Sequence, residues 1–196
     1  MSAQKKRAPG RPRSLASEEA IINATSRLLR THGFSGLTLS RVAARARASK
    51  STIYRRWPTK EHLIVAAFNR WPVLVPHDSG GVLEDLMDLH AQSMRHLRRG
   101  GLKGVMPKLI AARAEEPALA SVLDPLMERR YDPVRTILRR AIERGQLPKN
   151  TDVELAVHMI MDITAARLYF TSSGTSQPAI RKMFRVLLKG LGTRGY

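Results

Sequence analysis

The 196-residue sequence contains no cysteine, which excludes a disulfide framework and any thiolate metal centre. It has no apolar run near the roughly 18 residues that a membrane-spanning helix needs. Its opening Met-Ser-Ala-Gln-Lys-Lys-Arg lacks the apolar stretch of a secretory signal, so a cytoplasmic location is expected and no membrane partner. No segment alternates apolar and polar residues between hairpin turns, so no sheet is expected. The histidines (His32, His62, His77, His90, His96 and His158) are scattered, none in an HExxH or other metal-ligand spacing. With no Walker-type loop and no Gly-x-Ser-x-Gly, the expectation is a protein that is not an enzyme and holds no metal and no cofactor.

Acidic charge is also scarce, with 16 Asp and Glu against 34 Lys and Arg and a net charge of +18. The imbalance is concentrated. Residues 1–60 carry fourteen of the basic residues but only two acids, Glu18 and Glu19. Two-thirds of the excess thus sits in under a third of the chain, which favours a polyanionic partner over a generally solvated surface. Hydrophobic residues make up 43% of the chain, enough for a folded body.

Residues 1–14 combine like charges with Pro and Gly and are expected to form a disordered basic arm. Helical periodicity begins near Ser17, a candidate N-cap, and Ile21, Ala24 and Leu28 follow until Gly33. Two short helices are expected near 39–46 and 50–56, and a longer one from about 60 to Pro72. Residues 73–80 read as a linker, which divides the chain into an N-terminal domain over 15–75 and a C-terminal domain over 80–196. Further helices are expected near 81–99, 102–114, 118–144, 151–171 and 176–191, with Pro125 and Pro133 placed to kink or split the third of these. The fold class is all-α.

The most informative stretch runs from Leu37 to Trp57. Val42, Ala43 and Ala46 give the first short helix a small apolar face that lets another helix cross closely. Ser49 can cap the second short helix, whose Ile53 and Trp57 point inward at i, i+4. Its outer face then carries Lys50, Ser51, Thr52, Tyr54, Arg55 and Arg56, all hydrogen-bond donors. A helix presented this way fits a DNA major groove. Two other classes stay open on residues alone. A nonspecific architectural DNA binder would share the basic charge, and a helical interaction bundle would share the C-terminal region.

This segment, extended through Tyr54-Arg-Arg-Trp-Pro-Thr-Lys-Glu-His-Leu63, resembles the helix-turn-helix of the TetR family of repressors, with the motif at 38–57. Asp124-Pro-Leu-Met-Glu-Arg-Arg, Ala141-Ile-Glu-Arg-Gly-Gln-Leu-Pro and Thr151-Asp-Val-Glu-Leu resemble a subgroup of TetR ligand-binding domains. The resemblance implies a three-helix DNA-binding domain joined to a helical ligand-binding and dimerisation bundle. It implies a homodimeric, sequence-specific regulator of a double-stranded DNA operator, a repressor released by a small-molecule effector. By the same resemblance Thr38 contacts phosphate, and Ser49, Lys50, Ser51, Thr52 and Arg55 lie at base edges or nearby phosphates. Tyr54 and Lys60 clamp the backbone. One departure is Arg47, where the family usually has Gly in the turn. In the arm, Arg7-Ala-Pro-Gly-Arg-Pro-Arg13 resembles an AT-hook core, and Arg7, Arg11 and Arg13 are candidates for a narrow minor groove.

In the 151–171 segment Leu155, Met159, Ile163, Ala166 and Phe170 line one face, and Val157, Ile160, Thr164 and Leu168 another. A helix apolar on two faces must be covered on both, either by a fully central position or by a second copy of the chain. The candidate dimer surface comprises Leu155, Met159, Ile163 and Phe170 with Ile180, Phe184, Leu187 and Leu188 from the final helix. For the effector, the resemblance implies a pocket with Met87, His90, Met94, Met127, Tyr131 and Met159 as candidate lining. Each methionine can equally serve as core filler.

Overall fold

The computed structural model describes residues 13–70, 72–100, 104–170 and 176–192. Most of the basic arm, with Arg7 and Arg11, lies outside them, as do the side chains of Arg13 and Phe170. The described residues form helices only: α1 (Arg13–Gly36), α2 (Leu39–Ala46), α3 (Lys50–Tyr54), α4 (Lys60–Asn69), α5 (Val82–Gly100), α6 (Met106–Glu115), α7 (Pro117–Glu143), α8 (Val153–Phe170) and α9 (Gln177–Gly192). None is long and apolar enough to cross a membrane.

They divide into two compact units, one drawn from Met1–Trp71 and Gly100–Ala112, the other from Pro72–Arg99 and Arg113–Tyr196. Most of α6 therefore groups with the N-terminal helices. Within that first unit, Lys108 Nζ donates to Ser35 Oγ at 2.7 Å and lies 5.1 Å from the Phe34 ring centre.

Helix α1 starts before Ser17, which is therefore an interior residue and not a cap. Glu18, the next residue, forms an ion pair with Arg56. Gly33 does break the helical path, at φ 64° and ψ −170°, a backbone conformation open to glycine. Leu37 and Val42 then lock α2 against α1, at 1% and 0% exposure.

In the second unit, α7 runs through Pro125 and Pro133 as one helix and is not split. Each proline removes one backbone hydrogen bond, but Leu123, Leu126 and Val134 around them are fully buried, and that packing holds the helix together. Its end is set by Gly145, at φ +72°. There Gln146 N–H bonds back to the Ala141 carbonyl at 2.8 Å and Leu147 folds into the core. Arg135 joins α7 to α8, donating to Glu128, Asp132 and Glu154 at 2.8 Å each. The core combines α5, α7, α8 and α9 through Leu86, Leu89, Ile137, Leu138, Val157, Ile160, Ile180 and Phe184.

The segment 73–80, expected to be a linker, is irregular but pinned within the second unit. The Val75 N–H donates to Gln92, whose amide nitrogen donates back to the Val75 carbonyl at 2.9 Å. Arg140 donates to the carbonyls of Pro76 and His77, and Gln146 to that of Gly80. Asp85 is the deepest anchor. At 1% exposure it accepts from the Ser79 backbone N–H at 2.8 Å and from the Ser79 hydroxyl at 2.7 Å. Asp78 pairs with Arg144, which holds its carboxyl below the usual range.

Replacing Asp85 by Ala removes the acceptor of both Ser79 hydrogen bonds and should cost about 1 kcal/mol. Urea unfolding should show the loss as a lower midpoint with an unchanged slope.

Candidate nucleic-acid interface

A helix of one turn, such as α3, does not hold its shape in water alone. Two devices hold it here. Ser49 is its N-cap, accepting from the Thr52 backbone N–H at 3.2 Å. Ile53 (0% exposed) and Trp57 (8%) bury its inner side, worth roughly 1.5–3 kcal/mol for each side chain. With those two inward, the rotation of α3 is fixed, and Lys50, Ser51, Tyr54 and Arg55 are exposed while Thr52 is half-buried.

The hydroxyls of Ser49, Ser51 and Thr52 form a small network, with Ser49 Oγ 2.9 Å from Ser51 Oγ and 2.8 Å from Thr52 Oγ1. Ser49 is thus committed to capping. Arg56, read from the sequence as part of the outer face, turns back to Glu18 and is half-buried. A helix of this length offers only one outward stripe, and Arg56 lies beyond its last turn.

Thr38 is exposed at the N-cap of α2, where its oxygen accepts from the Arg41 N–H at 3.3 Å; the hydroxyl proton stays available. Thr59 caps α4 in the same way. Lys60, the first residue of that helix, places its ammonium 3.9 Å from the centre of the Phe34 ring, a cation–π contact that fixes a charge beside a helix N-terminus. Thr38, the α3 stripe and the α4 start therefore belong to one compact unit built on α1.

Arg47 occupies the left-handed region, at φ 51° and ψ 41°, with its N–H bonded to the carbonyls of Ala43 and Ala44. The turn keeps the geometry that suits glycine and carries an arginine in it. Its side chain lines an open groove of about 600 Å³ together with Arg27, Arg30 and Arg45, and no acidic residue lines that groove. Arg27 and Arg30 escaped the sequence reading. Their i, i+3 spacing on the polar side of α1 was visible, but the proximity of α2's end was not.

The second unit has a half-open pocket of about 50 Å³. Of the residues expected to line a pocket, His90 does so and the other five do not. Met87 and Met94 are buried in packing at 7% exposure each, and Met127 and Tyr131 are half-buried elsewhere on α7. Met159 is 37% exposed on the outside of α8. The wall is made instead by residues at helical spacing from His90 and its partners: Leu86 and Ser93 on α5, Arg130 and Val134 on α7, Ile160 and Thr164 on α8.

The candidate dimer residues also divide. Leu155 and Met159 are exposed, at 56% and 37%, and Ile163 is half-buried on the same stripe. Ile180 and Phe184 are buried within the chain's own core at 0% and 2%, so they have no surface left for a partner. Leu187 and Leu188 are half-buried against that core. Val186, at 65% exposure, is the apolar residue that α9 turns outward.

Comparison with known proteins bears on the whole chain. Residues 21–67 match the family of bacterial regulatory proteins of the tetR type, and residues 76–187 match the Tetracyclin repressor-like, C-terminal domain. An uncharacterized HTH-type transcriptional regulator of Mycobacterium tuberculosis is 36% identical over 133 residues, covering 66% of this chain and 65% of its own length. The DNA-binding transcriptional repressor TetR of Mycobacteroides abscessus is 31% identical over 156 residues, covering 76% of this chain and 78% of that protein. Among solved structures, that of the TetR family transcription regulator SCO0332 superposes with a TM-score of 0.72 at 26% identity, over 89% of this chain and 97% of that one. With both halves matched and the helical architecture shared, the chain belongs to the TetR family of transcriptional regulators.

Proposed function

We propose that this chain is a sequence-specific repressor that binds its operator as a homodimer in the cytoplasm and leaves it when a small molecule occupies the second unit. The observation that carries this reading is the rotation of α3. Ile53 and Trp57 are buried, while Lys50, Ser51, Tyr54 and Arg55 face solvent as a stripe of donors. A nonspecific architectural binder is not favoured, because it has no need of a second unit with its own core and cavity. Ser51, Thr52 and Arg55 are assigned to base edges, and Thr38, Tyr54 and Lys60 to phosphates, so that the first set specifies and the second positions. The arm residues Arg7, Arg11 and Arg13 are assigned to the flanking minor groove.

The proposed dimer seam is the exposed stripe of Leu155, Met159 and Ile163 on α8 with Val186 on α9, giving four helices across the interface. An effector would act by favouring a dimer whose two α3 helices no longer span successive major grooves, about 34–36 Å apart.

The direct test is a fluorescence-anisotropy titration of the DNA upstream of the protein's own coding region in excess random duplex. Retained binding supports the proposal, and complete competition overturns it. Tyr54→Phe should weaken operator binding about fivefold, the equivalent of roughly 1 kcal/mol, and an unchanged affinity would remove that phosphate contact. Arg47→Gly should raise stability by about 1 kcal/mol through relief of the left-handed arginine. It should also weaken operator binding and flatten the salt dependence, each lost phosphate contact reducing the slope by about 0.9. Introducing Leu155→Lys with Met159→Lys should yield monomers by light scattering and abolish tight operator binding, whereas a persistent dimer would displace the seam.

A further inference from the structure

Four exposed arginines line one open groove of about 600 Å³ in the first unit, Arg27 and Arg30 from α1 and Arg45 and Arg47 from the end of α2. The rest of its wall is alanine with Asn23 and Ser26, so no carboxylate faces the four. None of them forms an ion pair among the described residues, whereas Arg113, Arg135, Arg144 and Arg181 of the second unit each hold an acid. Residues 1–60 contain no acid besides Glu18 and Glu19. Glu18 is taken by Arg56. Glu19 lies eight residues before Arg27 on α1, about 12 Å along the helix axis.

Arginines that serve only solubility can stand anywhere on a surface. Arg47 instead takes a left-handed backbone, at φ 51°, a conformation unfavourable to any residue with a β-carbon. That conformation sets it in the groove beside Arg45. The N-cap of α3 follows two residues later, and the turn is closed by the Ala48 N–H on the Ala43 carbonyl at 3.0 Å. The groove therefore borders the N-terminal end of α3. By that end recognition helices reach base edges, while the helix before them crosses the sugar-phosphate backbone. Arg27 and Arg30, one turn apart on α1, complete the groove from its other wall. An open groove lined by guanidinium forks suits a run of phosphates better than one enclosed ion.

We propose that this groove is a second DNA-binding surface. It takes the phosphodiester strand bordering the major groove that α3 reads, with Arg45 and Arg47 on one side of the strand and Arg27 and Arg30 on the other. These contacts are to phosphate, so they add affinity and carry no base preference. This rests on the reading of α3 above and adds to it α1, which reads no base.

The test is an anisotropy titration of the full chain between about 50 and about 200 mM salt. One duplex comes from upstream of the protein's own coding region and the other is random in sequence. Arg27→Ala with Arg30→Ala removes two phosphate contacts and should flatten the salt slope by about 1.8 on both duplexes. Over that range the unaltered chain should lose about tenfold more affinity than the variant. Arg45→Gln with Arg47→Gly, on the opposite wall, should flatten the slope equally and serves if the first pair fails to fold. Removing the same charge from exposed positions of the second unit, by Arg139→Ala with Lys149→Ala, should leave the slope unchanged. The proposal is overturned if either groove pair keeps the original slope. It is also overturned if the second-unit pair flattens the slope as much, since net charge alone would then explain the effect. Equal binding of both duplexes by the unaltered chain, with the groove pairs still flattening the slope, would instead overturn sequence reading by α3 and leave the groove as a DNA surface.

Discussion

Burial of Ile53 and Trp57 fixes the rotation of α3 about its own axis. The helix is a single turn, and beyond its Ser49 cap those two side chains are what keep it helical and its polar stripe outward. Their burial needs a pocket, and the pocket needs α2 to lie close to α1, which Leu37, Val42 and Ala43 secure by filling the crossing completely. The chain of dependence runs from small residues in α2, to the seat for Ile53, to the orientation of Lys50, Ser51, Tyr54 and Arg55. The proposed DNA-reading surface of four or five side chains thus depends on apolar residues inside the unit.

Charge is arranged around that scaffold with similar economy. Arg56 is spent on Glu18 and Lys60 is steadied over Phe34, while Arg27, Arg30, Arg45 and Arg47 line a groove that holds no acid. Like charges gathered without counter-charge repel one another and gain only when a polyanion arrives. Arg47 adds backbone strain to that repulsion, since it sits where glycine is at ease.

Much of this was legible in the sequence because it rests on local rules. The cap at Ser49, the inward pair Ile53 and Trp57, and the break at Gly33 follow from spacing and side-chain chemistry within a few residues. What failed depended on distant partners. Ser17 looked like a cap, but the helix begins at Arg13. Segment 73–80 looked free because Gln92, Arg140 and Gln146, which hold it, are far along the chain. The two apolar faces of α8 were visible, but periodicity could not say which one the core would take. The structure gives Val157 and Ile160 to the core and leaves Leu155 and Met159 outside. For the same reason Ile180 and Phe184 were misread as interface. The methionines drew attention as pocket lining, yet the cavity was built around the one histidine among them, from neighbours one helical turn away.

In the proposed function the stripe on α3 reads duplex sequence, twice over, from a symmetric pair of chains. Repeated binding selection from a pool of random duplexes by the purified protein tests it most directly. A palindromic site whose half-sites lie about one helical turn apart should be enriched, and the enrichment should be lost when Ser51 and Arg55 are replaced by Ala. A pool that stays unenriched after several rounds would contradict it.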